Sequence, residues 1–387
     1  MTEVVIVSAV RTPIAKQKGA LKDLDPSIYG GLVIQEAVRR AKIEGEEVDD
    51  VIFGNCLAGG GNMARLALLE AGLPVSVPGL TIDRQCGSGI NAVALAAEQI
   101  ISGGIDIAVA GGTDSMTRVP YLMEAASTAY SLIPPKFIRR PLAPKSIGDP
   151  PMGITAENLV EQYGISREEQ DEFAYRSQQR MAKAVEQGRF DEQILPMYLQ
   201  GKKGEKIIFD KDEHPRPDTT VEVLSTLNPA FKKDGTVTAG NASGINDGAS
   251  ALVLMNSKEA EKRGLEPLAI VRDAAVAGVD PNIMGIGPVP ATRKILKRNG
   301  MSLEDIDLIE INEAFAAQVL ACDRELHFDM DKVNVNGGAI AHGHPIAATG
   351  GMLIAKLIYE MKRRNVKCGL VTACCGGGQG ISLIIER

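Results

Sequence analysis

Cys86 stands in DRQCGSGIN, residues 83–91, directly before a Gly-Ser-Gly turn and the apolar run AVALAAEQII. A thiol where a turn becomes a buried helix feels the positive end of the helix dipole and the unpaired N–H groups there. Both lower its pKa and favour the thiolate, which is the nucleophilic form. On that reading Gly87 and Gly89 leave room for a substrate to approach the backbone. The other reading is a packing residue, because unpaired cysteine behaves as a small hydrophobe. The turn alone leaves both open.

Three more loops carry groups that would suit a thiol nucleophile. NGGAIAHGHPIAATGG, residues 336–351, sets His342 and His344 among glycines before a helix and holds half of the chain's four histidines. They are metal ligands lacking a near third ligand, structural residues, or, for one of them, the base that makes a distant thiolate; Pro345 would fix the turn after His344. VTACCGGGQG, residues 371–380, ends a strand in Cys374, Cys375 and three glycines. This is a tight turn with packing thiols, or a second working thiol beside free N–H groups able to bind an oxyanion. Adjacent cysteines make poor disulfide partners, so a redox pair is not favoured. EINEAFAAQ, residues 310–318, puts Asn312 where a strand meets a helix, with Glu313 in the first turn. Asn312 is either an N-cap or a group that holds a water or donates to a carbonyl.

These loops need a frame. Short β-branched runs alternate with helical ones: strands at 3–10, 50–55 and 105–112, a helix at 27–43 and another after Cys86. That alternation indicates an α/β architecture of layered sheets. The order then repeats. LAIVRDAAVAGVDP (268–281) echoes the opening strand, IDLIEINEAFAAQ (306–318) echoes VDDVIFGNCLAGG (48–60), and residues 349–378 echo residues 88–112 as helix, strand and glycines. Two related α/β halves packed face to face are expected: 1–116 with about 241–265, and 266–387. Residues 117–240 fit neither half, being richer in Pro and charge, and read as an inserted loop domain covering one mouth of the core. Its clear helix is 165–188, with Ser166 and Glu169 as a capping box and Gly188 at the C-terminal end. Residues 239–256 are expected to return as a tight loop, a helix turn and a strand.

Composition excludes several classes. At 387 residues the chain needs two or three domains or subdomains. A net charge of −7, few aromatics and no Trp argue against a nucleic-acid partner. Six cysteines without a C-x-x-C motif suit neither a disulfide framework nor structural zinc. Apolar runs stay short of a membrane span and no secretory signal is evident, so a cytoplasmic location is expected.

Taken together, the loops resemble the thiolases, in particular the acetyl-CoA C-acetyltransferase type. The resemblance runs nearly end to end, through VRTPIAKQKGAL, CGSG, GITAENL, REEQDEFA, GTVTAGNASGINDGA, GIGPVP, NEAFA, GGAIAHGHP and CCGGGQG in the family's order. It implies the thiolase layered α-β-α-β-α fold. It also implies either CoA-dependent thiolytic cleavage of a 3-ketoacyl-CoA or the reverse Claisen condensation of two acetyl-CoA, through an acyl-Cys86 intermediate. By this resemblance Cys86 is the acylated nucleophile and His344 the base that activates it and contributes to an oxyanion hole. Cys374 is the acid/base thiol and Asn312 holds an oxyanion-hole water. The N–H groups of Cys86 and Gly376 form the other oxyanion hole.

The same resemblance puts Ser243 near the pantetheine arm, Arg216 against the adenine, Met152 and Met284 on the acyl pocket, and Ala314 and Phe315 among the CoA contacts. Coenzyme A enters as substrate; no bound cofactor and no metal is required. A homodimer or a dimer-of-dimers tetramer is implied. The loop with Lys136, Arg139, Arg140 and Lys145 either attracts CoA phosphates or is a solvated charged loop. One departure stands out: where short-chain members carry Tyr-His-Met-Gly, this chain reads DPPMG, residues 149–153, with two prolines in place of the aromatic and the histidine, which points to a pocket for longer acyl chains or to a variant with its own substrate. His342 also takes a place where an apolar residue is common. A decarboxylating condensing enzyme is disfavoured by Cys374, and a non-catalytic scaffold subunit by the retention of every catalytic side chain.

Overall fold

The computed structural model describes residues 2–58, 61–126, 128–130, 132–201 and 204–387, so Gly59 and Gly60 at the end of the first repeat lie outside the described residues. In chain order the strands are β1 (Val4–Arg11), β2 (Ala15–Lys16), β3 (Asp50–Gly54), β4 (Gly79–Ile82), β5 (Ile107–Ser115), β6 (Leu122–Met123), β7 (Phe137–Ile138), β8 (Met197–Gln200), β9 (Lys206–Phe209), β10 (Asn246–Asn256), β11 (Ala269–Gly278), β12 (Leu308–Ile311), β13 (Cys368–Cys375) and β14 (Gln379–Glu386). The helices are α1 (Pro26–Ala41), α2 (Met63–Glu70), α3 (Ser88–Ile101), α4 (Met152–Tyr163), α5 (Arg167–Glu186), α6 (Val221–Ser225), α7 (Ser257–Lys262), α8 (Pro288–Asn299), α9 (Ala316–Leu326), α10 (Ala339–His342) and α11 (Ile346–Arg364).

The strand pairing carries the internal repeat. β3 runs parallel to β5, β5 antiparallel to β10, and β10 antiparallel to β1. In the second half β12 runs parallel to β13, β13 antiparallel to β14, and β14 antiparallel to β11. The halves meet where β1 pairs with β11 at Val5↔Ile270 and Ile6↔Ala269, giving the order β12-β13-β14-β11-β1-β10-β5-β3-β4.

Alternation along the strands makes the layers. Leu252 and Leu254 of β10 face the central helices α3 and α11, in one core with Ile52 of β3 and with Val371, Ala373 and Leu383 of the second half. Ala251 and Val253 face the other way, onto α1 and α2. Ile309, Leu370 and Ile384 pack against α8 and α9 in the matching outer core. Five layers result, with strands such as β1 and β13 buried at every position. Strands covered on both faces must be apolar throughout, which is why these runs lack a polar alternation.

α3 and α11 approach backbone to backbone. A Cβ on Gly89 would lie 2.7 Å from both the Ala347 carbonyl oxygen and the Gly351 nitrogen. One on Gly87 would lie 2.6 Å from Cys375 Sγ. The expectation that these glycines leave room for substrate is thus corrected: they let the Cys86 turn seat against α11 and β13.

Between β5 and β10 the chain leaves the layers and forms the β6–β7 hairpin, α4, α5, the β8–β9 hairpin and α6. Ser166 and Glu169 form the expected capping box on α5, and Gly188 follows its end at φ +63°. The expected helix turn before β10 is absent among the described residues; residues 239–245 form a loop tied to residues 314–316 by Ser243 N–H to Ala314 O and Ala316 N–H to Asn241 O.

Candidate active site

Four chain segments converge at one end of the central helices. Cys86 lies one turn before α3 proper, in the short helical turn Gln85–Gly87. Gln85 holds φ +48°, a left-handed conformation that costs a side-chain-bearing residue energy and is kept only where its surroundings enforce it. Here Asp83 Oδ1 accepts from Gln85 N–H at 2.8 Å, and Ser88 Oγ donates to Gln85 O at 2.7 Å while accepting from Arg84 N–H at 2.8 Å.

The thiol of Cys86 is buried, and burial pushes it up to about 12, although the N–H groups of Cys86 and Gly376 pull it down. The expected net lowering at the helix start is therefore corrected: desolvation outweighs the local dipoles. Cys374, at the end of β13, is fully buried, and its thiol is raised by burial first and by the Cys86 thiol next. The two thiols are thus close enough to feel each other's charge.

His344 sits just before α11. Its backbone N–H donates to Asn246 Oδ1 at 2.9 Å, and Gly343, at φ +99°, packs against the same Asn246 side chain. The ring is held at both nitrogens, with Nδ1 2.7 Å from Thr349 Oγ1 and Nε2 3.4 Å from Asn312 Nδ2. An amide nitrogen only donates, so Nε2 carries the lone pair and Nδ1–H donates to Thr349. Burial draws the imidazole down to about 4, so it stands neutral at neutral pH.

Asn312 does not cap a helix. It extends β12, donating its N–H to Thr372 O at 2.9 Å, and α9 starts only at Ala316. Its Oδ1 is buried without a partner, which suits a group that binds a water or a substrate oxygen. Glu313 is also outside the helix. Its carboxylate accepts from Ser177 Oγ at 2.7 Å, Asn334 Nδ2 at 2.8 Å and Ile340 N–H at 3.2 Å. It thereby ties the β12 end to the loop that carries His344.

His342 is not paired with His344 as a metal site would require. Its Nδ1 lies 2.7 Å from Gly343 O and its Nε2 is buried and unpartnered. Met152, Met284, Ala314, Phe315 and Cys374 share one apolar cluster with Ala156, Val237 and Ala242. Ser243 borders it. Arg216 is exposed at the rim of a separate cleft of about 430 Å³, lined also by Gln178, His214, Leu224 and Gly240. In the basic loop, Arg139 pairs with Asp149 and Arg140 donates to Cys56 O, while Lys136 and Lys145 are exposed.

Sequence reasoning missed Thr349, Asn246 and Phe231. Phe231 packs its ring on Gly153 and meets Phe315 edge-on at 6.0 Å. Thr349 was legible in principle, since it lies in the first turn of the helix that begins beside His344.

Two buried thiols, a neutral imidazole held in one tautomer and N–H donors over a thiol define a site for acyl transfer through a thioester. The comparisons give the family. The thiolase N-terminal domain model matches residues 4–258 and the thiolase C-terminal domain model residues 265–387. The chain is 49% identical to the acetyl-CoA acetyltransferase of Syntrophomonas wolfei subsp. wolfei over 99% of each chain. Among solved structures it is similar to the Bacillus anthracis acetyl-CoA acetyltransferase (TM-score 0.95, 49% identity, covering 100% of this chain and 99% of that one). It is also similar to human mitochondrial 3-ketoacyl-CoA thiolase (TM-score 0.94, 42% identity, covering 100% of this chain and 99% of that one). This chain belongs to the thiolase family. Its class of chemistry is CoA-dependent thiolytic cleavage and the reverse Claisen condensation, through an acyl-cysteine.

Proposed function

We propose that Cys86 is the acylated nucleophile of a 3-ketoacyl-CoA or acetoacetyl-CoA thiolase, with Cys374, His344 and Asn312 as its partners. The observation that carries this reading is the convergence of the buried Cys86 turn, the end of β13 with the buried Cys374, and the His344 ring, whose Nε2 lies 3.4 Å from Asn312 Nδ2. In thiolysis His344 Nε2 takes the Cys86 proton and the sulfur bonds to C3 of the substrate. The C2–C3 bond then breaks, its electron pair going to the acetyl-CoA enolate, which takes a proton at C2 from Cys374. The thiol of free CoA loses its proton to the Cys374 thiolate and attacks the acyl-Cys86 carbonyl, which releases acyl-CoA as the Cys86 sulfur leaves and takes back its proton from His344. The N–H groups of Cys86 and Gly376 would hold one oxyanion, and His344 with a water on Asn312 the other. Each such donor is worth about 3 kcal/mol.

Met152, Met284, Ala314, Phe315, Ser243 and Arg216 are the CoA and acyl contacts in this reading. CoA enters as substrate, with no resident metal. Residues 1–116 with about 241–265 and residues 266–387 are the two halves, and 117–240 covers the CoA site. A homodimer or tetramer fits the exposed apolar side chains of the β6–β7 hairpin region, such as Tyr121, Met123 and Phe137. Six unpaired cysteines suit the reducing cytoplasm.

The test is thiolysis of 3-ketoacyl-CoAs from C4 upward by the purified protein. Cys86→Ala is expected to abolish it, and Cys374→Ala to lower kcat by about 100-fold or more. Turnover that survives Cys86→Ala would falsify the assignment.

A further inference from the structure

The acyl side of the site is walled by three side chains from separate segments. Met152 opens α4, Met284 lies in the helical turn Pro281–Ile286, and Leu142 comes from the loop after β7. They meet at the Gly376–Gly377 turn. A Cβ on Gly376 would sit 2.4 Å from Met152 Cε and 3.3 Å from Leu142 Cδ1, and one on Gly377 would sit 2.6 Å from Leu142 O. The space left among Leu142, Pro150, Met152, Met284 and Gly377 is about 10 Å³, room for at most one water. An acyl chain extending this way must displace one of the three walls.

Two of those walls are braced to each other. Asn158 of α4 donates from Nδ2 to Asn282 O at 2.8 Å, linking the segments that carry Met152 and Met284. Leu142 belongs to a largely exposed loop that is closed by one carboxylate. Asp149 Oδ1 accepts from Leu142 N–H at 3.1 Å, and its other oxygen pairs with Arg139. The Leu142 N–H is also the strongest influence holding the Asp149 carboxyl below its ordinary range. The same loop touches the fixed walls, since Asn282 Nδ2 donates to Ile147 O at 3.0 Å. Asp149 stands directly before Pro150 and Pro151, the two residues that replace the Tyr and His of the family's Tyr-His-Met-Gly.

We propose that the Arg139–Asp149 ion pair is a latch that holds Leu142 against the Gly376–Gly377 turn and so restricts the enzyme to short 3-ketoacyl chains. The inference rests on the thiolase reading above. Asp149 and Arg139 are positioning residues in it: they set where Leu142 stands and touch no reacting atom. Breaking the latch lets the loop swing out, and the wall recedes where the acyl tail would lie. Shortening Leu142 opens the same space without moving the loop.

The experiment measures kcat/KM for straight-chain C4 and C10 3-ketoacyl-CoAs with the full-length protein and with Asp149→Ala, Arg139→Ala and Leu142→Ala. The wild type is expected to favour C4. The C10/C4 ratio is expected to rise by about tenfold or more in Asp149→Ala and Leu142→Ala, the scale on which apolar pockets discriminate, with a smaller rise in Arg139→Ala. A general loss of fold would lower both substrates together and leave the ratio unmoved. Should Asp149→Ala not fold, Leu142→Ala and Arg139→Ala decide. A wild type that prefers C10, or a ratio unchanged in all folded variants, overturns the latch while leaving the thiolase reading intact. No thiolysis by the wild type at either length would instead remove the functional reading, and the latch with it.

Discussion

His344 Nδ1 lies 2.7 Å from Thr349 Oγ1, and the two residues are joined by the first turn of α11. The helix start therefore fixes the ring that works at its other nitrogen. Replacing Thr349 by Val leaves the Nδ1–H buried without an acceptor, a loss of about 1–3 kcal/mol. It also frees the tautomer, so that Nε2 no longer always carries the lone pair. Thr349→Val is expected to lower kcat for thiolysis by about tenfold or more with little change in KM. Thr349→Ser, which keeps the hydroxyl, should recover most of the rate. Equal losses in both variants would show that the hydroxyl does not hold the ring.

Lys356 and Glu310 form a buried ion pair at 2.9 Å, and Lys356 Nζ also donates to Gly337 O at 2.6 Å. Burial still pushes Glu310 up to about 7 against the pull of Lys356. The pair therefore braces the loop that leads to His344 at a real desolvation cost. Lys356→Met strands the carboxyl and is expected to cost about 3–5 kcal/mol in urea unfolding. Lys356→Met with Glu310→Met removes both polar groups and should regain most of that loss. If the double variant is as unstable as the single, the bond to Gly337 rather than the ion pair is the brace.

Gly87 has no space for a side chain, because a Cβ there would meet Cys375 Sγ at 2.6 Å and Ile381 Cγ2 at 2.7 Å. Both neighbours are fully buried, so neither can yield cheaply. Gly87→Ala is expected to cost about 1–3 kcal/mol of stability and to shift the Cys86 turn, lowering kcat more than it raises KM. Denaturant midpoints and steady-state kinetics on the same preparation separate the two effects.

The layered α/β frame was legible because period-two burial and fully apolar strands leave a direct trace in residue type, and because the repeat doubled the signal. The convergence of the candidate site was legible by motif: the segments carrying Cys86, His344, Asn312 and Cys374 meet, and Met152, Met284, Ala314 and Phe315 share one cluster with Cys374, while Ser243 only borders it and Arg216 stands at a separate cleft. What escaped was set by contacts between distant segments. The glycines beside Cys86 read as room for substrate, yet their neighbours are Cys375 and Ala347, far along the chain. The thiol's raised pKa depends on burial, which the local helix-start argument cannot weigh. For Asn312 the residues alone left a cap open beside a working amide, because strand and helix look adjacent in sequence, whereas three further residues precede α9.

His342 supplies a prediction about acid stability. Its Nε2 is buried without a partner, and its ring faces positive charge from Lys356 and Arg11, while the nearby His214, itself drawn down to about 4 by burial, stays neutral above that pH. Burial first, then Lys356 and Arg11, hold its imidazole well below 6.5, with the contact to Gly343 O opposing them. In the unfolded chain the same imidazole titrates near 6.5. Below that pH the unfolded state takes up a proton that the folded state refuses, so this group's contribution to stability is full above about 6.5 and is lost as pH falls. Other buried groups also titrate in this range, Asp114 and Glu310 with the opposite sign. The difference between the wild type and His342→Leu isolates the one imidazole. His342→Leu should match or exceed the wild type at pH 7.5, because an unpartnered nitrogen is replaced by an apolar group. Its advantage should then widen by up to about 1.4 kcal/mol per pH unit below 6.5. Urea unfolding of both proteins at pH 7.5, 6.5 and 5.5 measures this, and a difference that stays flat across that range would mean His342 accepts its proton in the folded state.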